Sequence, residues 1–446
     1  MKIMDLGPVN HKHRRAKAAR RAFLLEGRFL RFFSNLGPGL ITGAADDDPS
    51  GISTYSVTGA AFGYAPLWTA LFSFPLMAAV QVMCARLGMV TGLGLAGLIR
   101  VRYPRWILWS ACTLLVVANV VNIAADLGGM AKVTELVTGV SSLYWTPAYA
   151  LLSVCLLFWA SYLNVARIFK WLTLVLFAYI VAAFLSHPDW PAVARATLIP
   201  RLQWTGAYWA TLVGILGTTI SPYLFFWQAA QEVEHDVAAG RSTIEQREHP
   251  PSRDLRRARN DVLTGIFFSH LVMYFIILTS AATLHANGHI TISGARDAAE
   301  ALRPLAGDGA YWLFSLGLIG AGMLGVPVLA GSCAYAVAEA ADWAGSLDVH
   351  PPLAHGFYAV IAIAMALGLG LDFAGLDAVK MLFWAAVLNG VLAPPLLILV
   401  VLLTSRVDVM GEHRNGPVLH WLGWTCAAVM LIATVIMFVT AFVARR

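Results

Sequence analysis

Charge is what this sequence most lacks. Asp, Glu, Lys and Arg make up only 13% of its 446 residues, against 59% hydrophobic residues. A soluble domain carries about 25% charged residues, so a water-facing surface around the whole chain is excluded and lipid must be the solvent for most of it. Cysteine is also scarce. Cys84, Cys112, Cys155, Cys333 and Cys426 all sit inside apolar runs, their number is odd, and none is paired by spacing. That excludes a disulfide framework and a zinc site and leaves them as small buried apolar residues. A signal-peptide cleavage pattern is missing after the basic stretch HKHRRAKAARRAFLLEGRFLR, so that stretch is expected to stay as an arm on anionic headgroups. The net charge of +6 does not point to nucleic acid. Its Lys and Arg fall in short segments between apolar runs, which is the pattern of membrane topology.

What is present is a series of apolar runs long enough to cross a bilayer, each needing about 20 residues. The expected spans are 34–62 (broken), 65–88, 106–138, 145–163, 168–187, 207–236 (broken), 260–286, 309–342, 351–371, 376–404 and 417–443. With the N-terminus inside, 23 Lys and Arg lie in inside segments and 6 in outside ones, which places the arm in the cytoplasm. The expected organisation is a basic arm (1–32), a first half (33–206), a second half (207–404) with a mobile polar cytoplasmic loop at 237–259, and a last helix (405–446). The fold class is therefore an all-α polytopic membrane protein.

Two spans are interrupted. The first reads GPGLITGAADDDPSGISTYSVTGAAFGY, with Asp46, Asp47, Asp48, Pro49, Ser50 and Gly51 at its centre. Proline removes a backbone donor and clashes with the preceding turn, and glycine adds backbone freedom. Each Asp at a membrane-helix centre costs roughly 2.5–3.5 kcal/mol on insertion scales. Three in a row must face a wet cavity, hold a cation or be partly protonated. The sixth span reads TLVGILGTTISPYLFFWQAAQEVEH, with Gly217, Thr218, Thr219, Ser221 and Pro222 in the middle. Pro49 and Pro222 stand 173 residues apart, the length of five spans with their loops. Matched breaks in two halves of odd helix number point to an inverted-repeat transporter, whose ions sit at the broken helices.

These residues carry a family resemblance. GPGLITGAADDDPSG, AFGY and ARLGMVTG (Gly37 to Gly92) resemble the first two helices of the NRAMP divalent-metal transporters, and the likeness continues through AADLGG and the sixth span. It implies a LeuT-type fold: two inverted five-helix repeats plus an eleventh helix, with helices one and six broken. It also implies a divalent metal cation as cargo. A bacterial inner membrane as location, no further cofactor and a single chain as one candidate working unit are the accompanying expectations, with the oligomeric state left open by the sequence. In the family the first break is Asp-Pro-Gly-Asn, and its Asp and Asn bind metal. Asp48 matches the carboxylate, Gly51 replaces the Asn, and Ala45 matches a carbonyl ligand. The sixth helix of the family offers an Ala carbonyl and a Met sulfur, and here Thr218 and Ser221 take those positions.

Losing the thioether leaves oxygen ligands only, which suit hard cations such as magnesium and are tolerated by manganese. In this the chain resembles the NRAMP-related magnesium transporter branch. The proton relay that the resemblance implies is altered too. Gln228 stands at the position of a helix-six His and cannot titrate near neutral pH. Asp126 matches a helix-three Asp, but Gly129 replaces the adjoining Glu, and span 351–371 lacks the arginines of helix nine. Weak or no proton coupling is expected, with Asp126, Asp46 or Asp47 as remaining acceptors.

Other intramembrane polar residues have two readings each. Asn122 and Asp126 share one helix face and suit either the ion path or an interhelical hydrogen bond, as does Asn389. Glu232 and Glu234 would attract leaving cations or form a solvated helix end, and His270 and His285 read as packing or loop residues. An organic-solute carrier on the same fold is disfavoured by three aspartates in the break. An intramembrane aspartyl protease would pair Asp48 with Asp126, but its Gly-x-Gly-Asp signature is missing.

Overall fold

A computed structural model of the chain describes residues 38–159, 174–241, 243–247, 250–292, 295–343, 345–347, 353–375 and 377–443. Pro38–Arg446 forms one compact unit. The arm 1–32 and the basic residues Arg167, Lys170, Arg445 and Arg446 lie outside the described residues.

Pro38–Asp46 (α1) and Pro49–Phe62 (α2) form the first broken pair, followed by Trp68–Thr91 (α3), the short Leu95–Arg102 (α4), Arg105–Thr138 (α5) and Ser142–Trp159 (α6). Ala178–Leu185 (α7) and Trp190–Leu198 (α8) lead into the second broken pair, Gly206–Thr219 (α9) and Pro222–Ala238 (α10). Then come Ile244–Arg247 (α11), Ser252–Thr283 (α12), Ala295–Glu300 (α13), Arg303–Ala306 (α14), Ala310–Ala341 (α15), His355–Asp372 (α16), Ala378–Ser405 (α17), Val407–Met410 (α18) and Pro417–Val443 (α19). Among the described residues, 9 helical stretches are long and apolar enough to cross a membrane. Adding the split α1–α2 pair and the short apolar α7, each expected span has a helical counterpart.

Local chemistry sets the helix ends. Asp189 and Asp377 cap α8 and α17 by accepting from the amides of Ala192 (3.2 Å) and Lys380 (2.9 Å), as N-cap carboxylates do. Gly92 and Gly139 end α3 and α5 in the left-handed conformation. The five cysteines are free.

The expected polar loop 237–259 is largely helical instead. α10 runs to Ala238, and α12 begins at Ser252, so its first eight residues (252–259) project before the apolar run. Pro250 and Pro251 explain the start: proline is suited to a helix beginning, and the Arg-rich stretch after it has good helix propensity. The segment is also tied down, because Arg241 bridges Asp236 (3.1 Å) and Asp254 (3.2 Å).

α1 and α2 both pack along α12, α15 lies along α5, and α9 lies along α17. Small residues allow these close approaches. A Cβ on Gly43 of α1 would stand 2.3 Å from the Gly265 carbonyl carbon of α12. The broken helices thus sit in the middle of the bundle, walled by α5, α12, α15 and α17.

Candidate metal seat

Both interruptions expected from the sequence are present. Asp48 is extended (φ −70°, ψ 171°) between α1 and α2, and Pro49 opens α2. Ile220 (φ −111°, ψ 55°) and Ser221 (φ −74°, ψ 130°) leave helical geometry between α9 and α10, and Pro222 opens α10. Each break exposes the carbonyl end of one half-helix and the amide end of the next, so a cation is favoured at the first and a carboxylate at the second.

Asp48 uses one oxygen to hold its own break together. Oδ1 accepts from the Gly51 amide (2.8 Å) and from the Ser50 hydroxyl (2.6 Å). Oδ2 faces the other break, where the Tyr223 hydroxyl lies 3.4 Å away. Tyr223, in the first turn of α10, donates to the Ala45 carbonyl at 2.9 Å. Gly51 packs against the second break, since a Cβ there would stand 2.9 Å from Thr218 Oγ1. That hydroxyl has no hydrogen-bond partner. Asp48, Ala45, Gly51, Thr218 and Ser221 are therefore brought to one place, and all are buried.

Ser221 does not reach toward Asp48 with its proton. Its hydroxyl donates back to the carbonyls of Gly217 (2.9 Å) and Thr218 (2.7 Å). The reason is local: the last carbonyls of α9 lack intrahelical donors, and a serine three or four residues on can supply one.

Asp126 joins the seat from α5. Neither of its carboxylate oxygens has a hydrogen-bond partner, and it is fully buried. A Cβ on Gly325 of α15 would meet the Asp48 Cβ at 3.1 Å and Asp126 Oδ2 at 3.9 Å. The missing side chain of Gly325 thus leaves the two carboxylates in a shared space. Neither forms an ion pair with any Lys or Arg among the described residues. An isolated buried carboxylate is costly, and a cation or a proton in this space would each offset that cost.

Asp46 and Asp47 face elsewhere. The Ser269 hydroxyl of α12 donates to Asp46 Oδ2 (2.6 Å) and lies 3.4 Å from Asp47 Oδ1. Gln228 sits in a polar chain, accepting from the Thr42 hydroxyl (2.6 Å) and donating to Glu232 (2.8 Å). Asn122 and Asn389 hydrogen-bond each other in both directions, at 2.8 and 3.2 Å, which joins α5 to α17. Asn119 donates to the Leu329 carbonyl at 2.9 Å. His270 bonds Ser73 (3.1 Å) and His285 contacts the Ala60 carbonyl (2.7 Å), both packing roles. Sequence reasoning missed Tyr223, Gly325 and Ser269. The only signal for Tyr223 was its place directly after the second proline. Gly325 and Ser269 lie on helices with no local mark.

Among the described residues, no cluster of three or more His, Cys, Asp or Glu side chains is placed to hold a metal. A cation here must draw on backbone carbonyls and hydroxyls beside Asp48 and Asp126. A family model described as "natural resistance-associated macrophage protein-like" (Nramp) matches residues 39–440. The chain belongs to the Nramp family. Similar curated proteins include the divalent metal cation transporters MntH of Deinococcus radiodurans, 28% identical over 95% of this chain and 94% of that one, and of Aeromonas hydrophila, 29% identical over 89% and 93%. A manganese transporter of Eremococcus coleocola, solved as a mutant, superposes with a TM-score of 0.67 at 19% identity, covering 91% of this chain and 85% of that one. Mhp1, a nucleobase-cation-symport-1 transporter, superposes with 0.53 at 12% identity, covering 92% and 93%. The Nramp chain described here has the LeuT-type fold of two inverted five-helix repeats plus an eleventh helix.

Proposed function

We propose that this Nramp protein is a secondary transporter that takes up divalent metal cations across the plasma membrane by alternating access, with magnesium and manganese as its first substrates. The observation that carries the reading is the space between the two helix breaks. Two buried carboxylates, Asp48 and Asp126, face it without a basic partner, beside the Ala45 carbonyl and the unpartnered Thr218 hydroxyl. The curated relatives named above are divalent metal cation transporters. The halves 33–206 and 207–404 would move against each other around this seat, with the basic arm in the cytoplasm and a single chain as the unit.

The donor set supports hard cations. Carboxylate, carbonyl, hydroxyl and water oxygens suit magnesium and manganese, and Ser221 brings no thioether to the second break. The surroundings support weak proton coupling. Gln228 does not titrate near neutral pH, and Gly129 brings no acid to the turn that follows Asp126. A proton-coupled manganese or iron symporter is the second reading. It is favoured by the unbonded oxygens of Asp126, which can take a proton.

Proteoliposomes loaded with a divalent-sensitive dye and a pH dye test both readings. Magnesium and manganese are each expected to enter, at rates little changed by an imposed pH gradient. Manganese entry with magnesium fully excluded would overturn the selectivity. Lumenal acidification in step with metal entry would replace the first reading with the symporter.

A further inference from the structure

The Tyr223 hydroxyl links the two breaks. It comes from the start of α10, behind Pro222, and reaches the end of α1, where its proton points at the Ala45 carbonyl (2.9 Å) and at Asp48 Oδ2 (3.4 Å). Tyr223 is fully buried. Its ring lies among packed helices, and its backbone carbonyl accepts from Ser332 of α15 at 3.2 Å. It is therefore a fixed arm with one rotatable proton.

We infer that Tyr223 is the latch of the empty carrier, with its hydroxyl proton occupying the oxygens that the cation takes when loaded. This rests on the transport reading above. A carrier that works by alternating access must return empty after each delivery, passing through a closed state with no cation between the breaks. In that state the Ala45 carbonyl and Asp48 Oδ2 would be buried without a donor, which is costly. The Tyr223 hydroxyl supplies the donor and ties α10 to α1. When a cation arrives, it draws on the same lone pairs, and positive charge on the hydroxyl proton opposes it there. Loading thus breaks the bridge, and unloading restores it. The loaded carrier does not use the latch, so cation-for-cation exchange needs no empty return.

Tyr223→Phe keeps the ring and removes the proton. In proteoliposomes, manganese uptake into metal-free vesicles, which needs empty return, is expected to fall about fivefold to tenfold, the worth of one net hydrogen bond. Exchange of labelled manganese, with saturating manganese on both sides, is expected to fall less than about twofold. Manganese affinity by titration calorimetry is not expected to weaken. Equal losses in both modes, unchanged net uptake, or weaker metal binding would each overturn the latch, the last making Tyr223 a ligand instead. Should the variant fail to assemble, 3-fluorotyrosine at position 223 retains the hydroxyl. Its fluorine resonance is expected to move on adding magnesium, and an unmoved resonance overturns the latch. A wild-type protein that neither binds nor moves a divalent cation would overturn the transport reading itself.

Discussion

Asp48→Asn is expected to lower divalent-metal uptake at least about a hundredfold, within the loss of 2–5 kcal/mol or more that follows removing one partner of a buried charge pair. The same substitution should leave the protein folded, because Asp48 has two separable tasks. Through Oδ1 it caps α2, accepting from Gly51 and Ser50. An asparagine oxygen does this nearly as well. Through its charge it faces the space it shares with Asp126, and that task is lost. Asp48→Ala removes both, so it should abolish uptake and also cost about 1 kcal/mol of cap. Melting in detergent, followed by the intrinsic tryptophan signal, separates the two. Asp48→Asn should melt close to wild type, and Asp48→Ala should melt lower. Metal uptake by Asp48→Asn at more than about a tenth of the wild-type rate would remove Asp48 from the seat.

Gly217→Ala is expected to destabilise the protein by about 3 kcal/mol or more, beyond the usual cost of an extra methyl in a packed interior. Gly217 of α9 crosses α17 so closely that a Cβ would stand 2.1 Å from the Ala386 carbonyl oxygen and 2.3 Å from the Gly390 amide nitrogen. All of these are backbone atoms, so no rotamer change relieves the clash. The helices must separate, and Thr218, the next residue, moves with α9. Loss of fold and loss of transport should therefore appear together. Gly370→Ala is the control. Nothing lies within 4 Å of a Cβ there, and alanine should stabilise that helix by about 0.5–1 kcal/mol. Equal melting temperatures for the two variants would show that α9 and α17 are not in this contact.

The breaks were legible because they are local events. Pro49 and Pro222 each deprive one turn of an amide, and the Asp and Ser before them are residues suited to an extended N-cap position. The spans were legible for a similar reason, since a bilayer needs a certain length of apolar chain whatever its neighbours are. The segment 237–259 differs from the expected loop because charge density does not by itself prevent a helix. Charged residues such as those of Ser252–Arg259 form good helix once a proline has started it.

Beyond the five positions that the family resemblance brought together, which side chains meet was not legible. Three consecutive aspartates gave no sign that Asp48 would face Asp126 while Asp46 turned to Ser269. Asp46 ends α1 whereas Asp48 is extended in the break, so their directions part where the helical winding stops, and the packing of each half-helix decides what each one meets. The sequence did not show that the Ser221 proton goes to the carbonyls of Gly217 and Thr218, a direction that leaves the oxygen lone pairs free. The Asn122–Asn389 pair joins positions 267 residues apart.

From the sequence alone come the solvent, the number of crossings and the two places where the helices lose their winding. These depend on composition and on backbone chemistry within a few residues. Tertiary structure alone decided the rest: that Asp126 stands by Asp48 at Gly325, that Tyr223 reaches Ala45, and that Asn389 pairs with Asn122. Those meetings depend on how each helix is rotated and how closely its glycines let it approach the next, and that is settled only when all the helices pack together.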